Sequence, residues 1–210
     1  MSHFTPLWVR HATRTTHDMN RTETPSPIRS APQSRIRFRS TRPSDGAALW
    51  QFVQSTGTLE PNSVYFYVLF AADFGDTCLV AEQDGRIVGA VIGFHPPREA
   101  DTAFVWQVGV LPEQRGQGLG LQLLQQWLSL PANARCRWVT ATVADDNKAS
   151  RALFQRLARE HDTGCQVTPH FTADLFPSGH PAEPMLRVGP IARHTPARGV
   201  QSQLENPIPV

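Results

Sequence analysis

Residues Asp101 to Gly120, D-T-A-F-V-W-Q-V-G-V-L-P-E-Q-R-G-Q-G-L-G, constrain the fold more than any other stretch of the chain. Ala103 to Leu111 is apolar and rich in valine and aromatics, which predicts a strand. Pro112 stops it. Gly116, Gly118 and Gly120 then supply a permissive turn, and Leu119 to Leu128 carries apolar residues at 119, 121, 123, 124, 127 and 128, the spacing of an amphipathic helix. Strand, glycine turn and helix N-terminus together predict an anion site. The unpaired N–H groups of a first helical turn converge there, and the helix dipole adds partial positive charge.

The pattern narrows the anion. No Gly-Lys-Ser/Thr follows the glycines, so this is not a nucleoside-triphosphate loop, and G-x-G-x-G departs from the dinucleotide fingerprint G-x-G-x-x-G. For the glycines alone, a plain turn before a surface helix stays open. Arg115-x-x-Gly118-x-Gly120 behind a strand ending V-G-V-L-P resembles the acetyl-CoA pyrophosphate loop of the GNAT acetyltransferases. That resemblance implies backbone contacts to phosphate at Gly116, Gly118 and Gly120 and a charge-assisted contact from Arg115.

Length and composition set the outer bounds. With 210 residues and 40% hydrophobic content, one domain with a real core is expected, plus tails. No apolar run approaches the roughly 18 residues of a spanning helix, so no membrane partner is expected. The net charge of +2 rests on nineteen arginines and one lysine, Lys148. Much of that arginine lies outside the expected core, so no nucleic-acid partner is read from it, and a single lysine leaves little room for Schiff-base chemistry. Cys78, Cys136 and Cys165 lie far apart without a CxxC, as buried small hydrophobes of a reducing cytoplasm would. No metal site is expected.

Residues 1–34 are rich in Ser, Thr, Pro and Arg without sustained periodicity and are expected to be a disordered leader. Its arginine bias weakly resembles an organelle transit peptide, but no apolar run suggests a secretory signal. A domain is expected over 35–188 and a second disordered tail over 189–210. Within the domain, Ile36–Arg39 reads as a strand, and Thr41 to Asp45 caps a helix running to about Ser55. Asn62 or Ser63 caps an unusually aromatic second helix to Phe74, in which Tyr65, Phe66, Tyr67, Phe70 and Phe74 cannot share one face. Strands over Cys78–Glu82 and Arg86–Phe94 flank Asp84-Gly85, a strong hairpin signal. Further on, Arg137–Val143 is a strand, Asp145 to Glu160 holds a capped helix, and Val167 and Met185–Val188 mark two last strands. The fold class is therefore α+β: a mixed, mostly antiparallel sheet with flanking helices, in the GNAT acyl-CoA N-acyltransferase order with a splayed central strand.

Five further segments narrow the resemblance. L-x-x-N-S-x-Y-x-Y-x-L, D-T-C-x-V-A-E-x-D-G-x-I-V-G, F-V-W-Q-V-x-V, D-N-x-A-S-x-x-L-F and F-P-x-x-H-x-x-E occur in this order. They resemble the L-2,4-diaminobutyrate acetyltransferases of the ectoine pathway. The resemblance implies an acetyl-CoA-dependent, cytoplasmic homodimer that acetylates the side-chain amine of L-2,4-diaminobutyrate. It places Glu60, Tyr65, Trp106, His180 and Glu183 around the substrate, with Glu60 standing where an aspartate is expected. It also places Asn147 on the pantetheine arm, against a plain helix-capping role.

The reaction sets its own demands. An alkyl ammonium must lose a proton before it attacks a thioester, so Glu183 and Glu60 are the candidate bases and His180 a relay. The oxyanion needs a donor, and a splayed strand offers backbone N–H groups near Val108 and Val110. Many GNAT enzymes protonate the leaving thiolate with a tyrosine where this chain has Phe154, which has no proton to give. Acetylation of another small amine or a protein N-terminus, or a non-catalytic acyl-CoA-binding module, are the competing readings.

Overall fold

A computed structural model describes residues 35–192; the expected leader, and the tail from residue 193 on, lie outside the described residues. Eleven helices and strands follow in chain order: β1 (Arg37–Ser40), α1 (Gly46–Thr56), α2 (Val64–Asp73), β2 (Leu79–Gln83), β3 (Arg86–Phe94), β4 (Thr102–Val110), α3 (Leu119–Leu128), β5 (Trp138–Thr142), α4 (Lys148–Glu160), β6 (Gly164–Phe171) and β7 (Glu183–Gly189). The strands form one sheet in the order β1-β2-β3-β4-β5-β7-β6. Every pairing is antiparallel except β4 with β5.

Local chemistry sets the element ends. The β2–β3 hairpin turns on Asp84 and Gly85, with φ of 52° and 74°, the backbone a two-residue hairpin of this twist requires. Ser63 caps α2 by accepting the Phe66 N–H. A short 3-10 turn, Pro43–Asp45, precedes α1, so the helix starts later than its cap signal suggests. There the Asp45 carboxylate accepts the Arg42 N–H and both arms of the Arg39 guanidinium, at 2.7 and 2.9 Å. Burial resists that charge, but the Arg39 and Arg42 contacts outweigh it and hold the Asp45 carboxyl below the ordinary range. At the far edge β6 is eight residues long and exposed, and it accommodates Pro169 where its register with β7 shifts.

The core lies on both faces of the sheet. On one, α1 packs over β3 and β4, with α2 against α1 and its Phe66 and Phe70 rings near Trp106 and Phe94; on the other, α3 crosses β2 to β4 and α4 lies beside it on β6 and β7. Trp127 of α3 is fully buried, and its indole N–H donates to the Thr77 carbonyl at 2.7 Å, so its one polar atom is satisfied. Cys78 and Cys136 are buried and form no disulfide with another described cysteine, and burial pushes the Cys78 thiol up to about 11. Beyond β7, Ile191 is buried and donates its N–H to the Arg137 carbonyl, so the packed chain continues past residue 188.

Candidate active site

The site is organised by where β4 leaves β5. Their parallel ladder pairs Thr102, Ala103 and Phe104 with Trp138, Val139 and Thr140, and stops there. On its other side β4 stays paired with β3 to Val110, but the register slips between Ile92 and Gly93, leaving Trp106 as the extra residue of a bulge. A bulge bends its strand and increases the local twist. Pairing with β5 thus ends two residues before the bend. The Leu111 N–H donates to the Val88 carbonyl across β3 at 2.9 Å. Strand alternation therefore turns the N–H groups of Val110 and Val108 to the other edge, where β5 no longer pairs with them.

Below the opening sits the glycine turn. Gly116 and Gly118 have φ of 74° and 81°, and Gly118 is the N-cap of α3 with no side-chain hydrogen bond to that cap. A Cβ on either residue would meet nothing within 4 Å. Uncapped N–H groups facing open space suit a diphosphate, so the donor set fits acetyl-CoA. Gly120 differs. It lies inside α3, and a Cβ there would sit in ordinary contact with Leu153 of α4 at 3.7 Å. Arg115 points away from the turn: its guanidinium donates to the Thr56 carbonyl at the end of α1 and lies 3.4 Å from the Thr58 hydroxyl. Asn147 is the N-cap of α4 and accepts the Ser150 N–H at 3.1 Å.

Across the opening stands Glu183, the first residue of β7. It is half-buried beyond the end of β5, and the Thr142 hydroxyl donates to it. Continuing the parallel register places Thr142 level with Trp106. Burial pushes the Glu183 carboxyl up; His180 and Thr142 pull the other way, while Asp146 and Glu60 push it further. His180, Asp146 and Glu60 each lie close enough to Glu183 for its carboxyl to feel their charge. His180 stacks on Phe176, with ring centroids 4.1 Å apart, and its Nδ1 lies 2.7 Å from the Pro181 carbonyl. A carbonyl only accepts, so Nδ1 carries a proton, and Nε2 is the ring nitrogen left to exchange one. Trp106 is 47% exposed, its ring 5.9 Å from Phe66 of α2. Tyr65 is 72% exposed; the buried tyrosine of the pair is Tyr67.

Residues 47–158 match the model of the acetyltransferase (GNAT) family. The chain is 46% identical over 148 residues to the L-2,4-diaminobutyric acid acetyltransferase of Shouchella clausii, covering 70% of this chain and 83% of that one. It is 47% identical, also over 148 residues, to that of Halalkalibacterium halodurans, covering 70% and 78%. The chain belongs to the diaminobutyrate acetyltransferase family of GNAT enzymes. A solved member, the diaminobutyrate acetyltransferase EctA from Paenibacillus lautus in complex with L-2,4-diaminobutyric acid and coenzyme A, superposes with a TM-score of 0.73 at 36% identity. It covers 77% of this chain and 98% of that one.

Within this family's fold, four residues that sequence reasoning did not place at the site take part in its geometry: Tyr67, Gln107, Thr142 and Asp146. Tyr67, Gln107 and Asp146 lie inside the motifs that carry the resemblance, and Gln107 is also the one polar side chain inside the apolar run F-V-W-Q-V; Thr142 had no such signal. A cleft of about 570 Å³ beside β1, β2 and α1, lined by Arg39, Asp45, Gln51, Glu82 and Arg86 among others, contains none of the expected site residues. Its Arg39 is already held by Asp45 at 2.7 Å and Glu82 at 2.8 Å. That cleft is a satisfied ion cluster.

Proposed function

We propose that this site transfers acetyl from acetyl-CoA to N4 of L-2,4-diaminobutyrate, giving N4-acetyl-L-2,4-diaminobutyrate for ectoine biosynthesis. The observation that carries the reading is the carboxylate pair Glu60 and Glu183, near enough for Glu60 to push the Glu183 carboxyl up, with His180 close to Glu183 as well. Such a pocket selects a small cationic substrate. The pyrophosphate lies on the uncapped turn of Gly116, Gly118 and α3, with Gly120 in the first helical turn. The Asn147 amide and Arg115 serve the cofactor side.

An amine with a pKa near 10.4 costs about 4–5 kcal/mol to deprotonate at pH 7. A carboxylate held above its ordinary range is a better match for that proton than an exposed one, which makes Glu183 the base. His180, through Nε2, relays the proton onward, and Glu60 holds and orients the substrate. Trp106 packs over its carbon chain, and the Tyr65 hydroxyl gives one positioning hydrogen bond. The Val108 and Val110 N–H groups donate to the carbonyl oxygen as charge develops on it. Phe154 is buried in the core and supplies no proton, so coenzyme A leaves as a thiolate, feasible for a thiol with pKa near 8.5.

The reading extends to a homodimer working in the cytoplasm. Val167, Phe171 and Leu175 are 46%, 41% and 65% exposed along and beyond the β6 edge, a surface that a second copy would cover. No described helix is long and apolar enough to cross a membrane. Light scattering on the purified protein tests the dimer, and a monomer at micromolar concentration overturns it.

The activity test is direct. Purified protein is mixed with acetyl-CoA and, in parallel, L-2,4-diaminobutyrate, other diamines, and peptides with free N-termini; thiol release is followed and the products are mapped by NMR. Turnover concentrated on diaminobutyrate with acetyl at N4 is expected. Preference for a peptide N-terminus, or no turnover of any amine, overturns the reading.

A further inference from the structure

The Glu60 carboxylate forms no ion pair with the described residues, and it lies on an exposed turn between two helices. What fixes it is its backbone. The Gln107 amide nitrogen donates to the Glu60 carbonyl at 2.7 Å. The Asn62 N–H donates to the Tyr67 hydroxyl at 3.2 Å, and that hydroxyl lies 3.2 Å from Gln107 Oε1. Donor chemistry gives the chain of bonds a single sense. The Glu60 carbonyl only accepts, so Gln107 must turn Nε2 towards it and Oε1 towards Tyr67, whose hydroxyl then donates to Gln107 while accepting from Asn62. Pro61, between the two anchored backbone groups, has no N–H of its own. The turn is also pressed flat: a Cβ on Gly109 would fall 2.7 Å from Leu59 Cδ1. Gln107 directly follows the bulge residue Trp106, so the ring of bonds fastens the Glu60 turn at the point where β4 parts from β5.

We propose that Tyr67 and Gln107 are positioning residues for the amine half of the reaction: through this closed ring they set where Glu60 meets the substrate. The proposal rests on the reading that Glu60 faces the amine. Both side chains are otherwise satisfied and Tyr67 is fully buried, so neither needs to touch the substrate to act.

The test is a cycle of Glu60→Gln, Gln107→Met and the double variant, with Tyr67→Phe alongside. KM for diaminobutyrate and for acetyl-CoA are measured separately, together with thermal stability. Gln107→Met keeps the side-chain length and removes both hydrogen bonds. It should raise the amine KM about tenfold and leave the acetyl-CoA KM within twofold. Tyr67→Phe should do the same to a lesser degree. In the Glu60→Gln background, Gln107→Met should add less than twofold, because its effect passes through Glu60. If Glu60→Gln alone leaves the amine KM at the wild-type value, the placement of Glu60 fails, and the proposal with it. If Glu60→Gln raises that KM but Gln107→Met moves both substrates equally, moves neither, or multiplies independently of Glu60, the positioning role alone is overturned. Loss of folding in Gln107→Met also overturns it, since the amide would then belong to the fold rather than to the turn.

Discussion

Arg115 of the glycine turn donates to the carbonyl of Thr56, the last residue of α1. A cation at a helix C-terminus is favourable in itself, because it meets the negative end of the dipole. The bond also links two segments with different tasks. One is the turn before α3, which suits a diphosphate; the other is the α1–α2 connection, which carries Glu60. An arginine expected from its sequence context to serve only the cofactor thus sits between the two halves of the site.

Arg115→Gln is therefore expected to raise KM for both acetyl-CoA and diaminobutyrate, the first by loss of charge near the phosphates and the second by loosening the Thr56–Glu60 connection. Steady-state kinetics with each substrate varied in turn checks it. A rise confined to acetyl-CoA would return Arg115 to the cofactor alone.

Gly118→Ala should act on one substrate only. At φ of 81°, an L side chain costs about 1–2 kcal/mol of folding stability, and its methyl group stands where the backbone must approach phosphate. The expected result is a lowered melting temperature with a KM for acetyl-CoA raised tenfold or more and an amine KM within twofold. Gly120→Ala is the contrast. It lies in the helix with room for a Cβ, so its melting temperature should stay level or rise. An acetyl-CoA KM that stays put in Gly118→Ala would make the turn merely structural.

Glu183→Gln separates base from scaffold. Loss of the charge should cost about 2–4 kcal/mol in kcat/KM with diaminobutyrate, while Tyr65→Phe, which removes one hydrogen bond, should cost about 1 kcal/mol. Calorimetric affinity for coenzyme A should be unchanged in both. Wild-type rates in both variants would remove these residues from the site.

The same glutamate gives a pH signature. Burial raises its folded-state pKa above the ordinary 4.5, so the folded protein holds the proton more tightly than the unfolded chain does. Ionised Glu183 thus costs stability above its folded pKa, and that cost disappears as pH falls to 4.5 and below. Glu183→Gln should melt higher than wild type at pH 7 and show no advantage at pH 4. In the wild type, kcat/KM should fall on acidification at a pH above the ordinary carboxylate range. Melting curves across pH, with the variant no more stable at pH 7, would contradict the buried-charge account.

A chain trimmed to residues 35–192 should fold and turn over like the full chain. Ile191 is buried and bonded to Arg137, so cutting at 188 instead should lower the melting temperature. Calorimetry on the two truncations decides between these boundaries.

Some of this was written locally in the sequence. Leu119–Leu128 is a helix over the span its apolar spacing predicts, because that stripe has one face to bury. The Asp84-Gly85 hairpin and the Ser63 cap were equally legible, since each depends on two or three neighbouring residues. β6 was legible only as a strand at Val167, not in its length. It has no apolar alternation, and its residues, exposed but for the half-buried Cys165, are held in line chiefly by pairing with β7. The Trp106 bulge depends on the register between two strands, which neither strand encodes alone. Tyr67 gave no sign of being the buried tyrosine and Tyr65 the exposed one, since a helix rich in aromatics offers several faces to the sheet. The partners of Arg115 and Gln107 are 59 and 47 residues away along the chain, beyond the reach of any local pattern.

Three residue pairs join β4 to β5, and they divide the molecule's inheritance unevenly. Everything suited to the acyl carrier's phosphates precedes that seam in the chain, together with Glu60, Tyr65 and Trp106. His180 and Glu183 follow it. A recombinant joined near residue 137 would receive one parent's phosphate turn intact but only half of each parent's amine contacts. The phosphate turn can therefore pass down in a single exchanged segment. Preference for one amine over another cannot, and must be re-matched across the seam whenever either side changes.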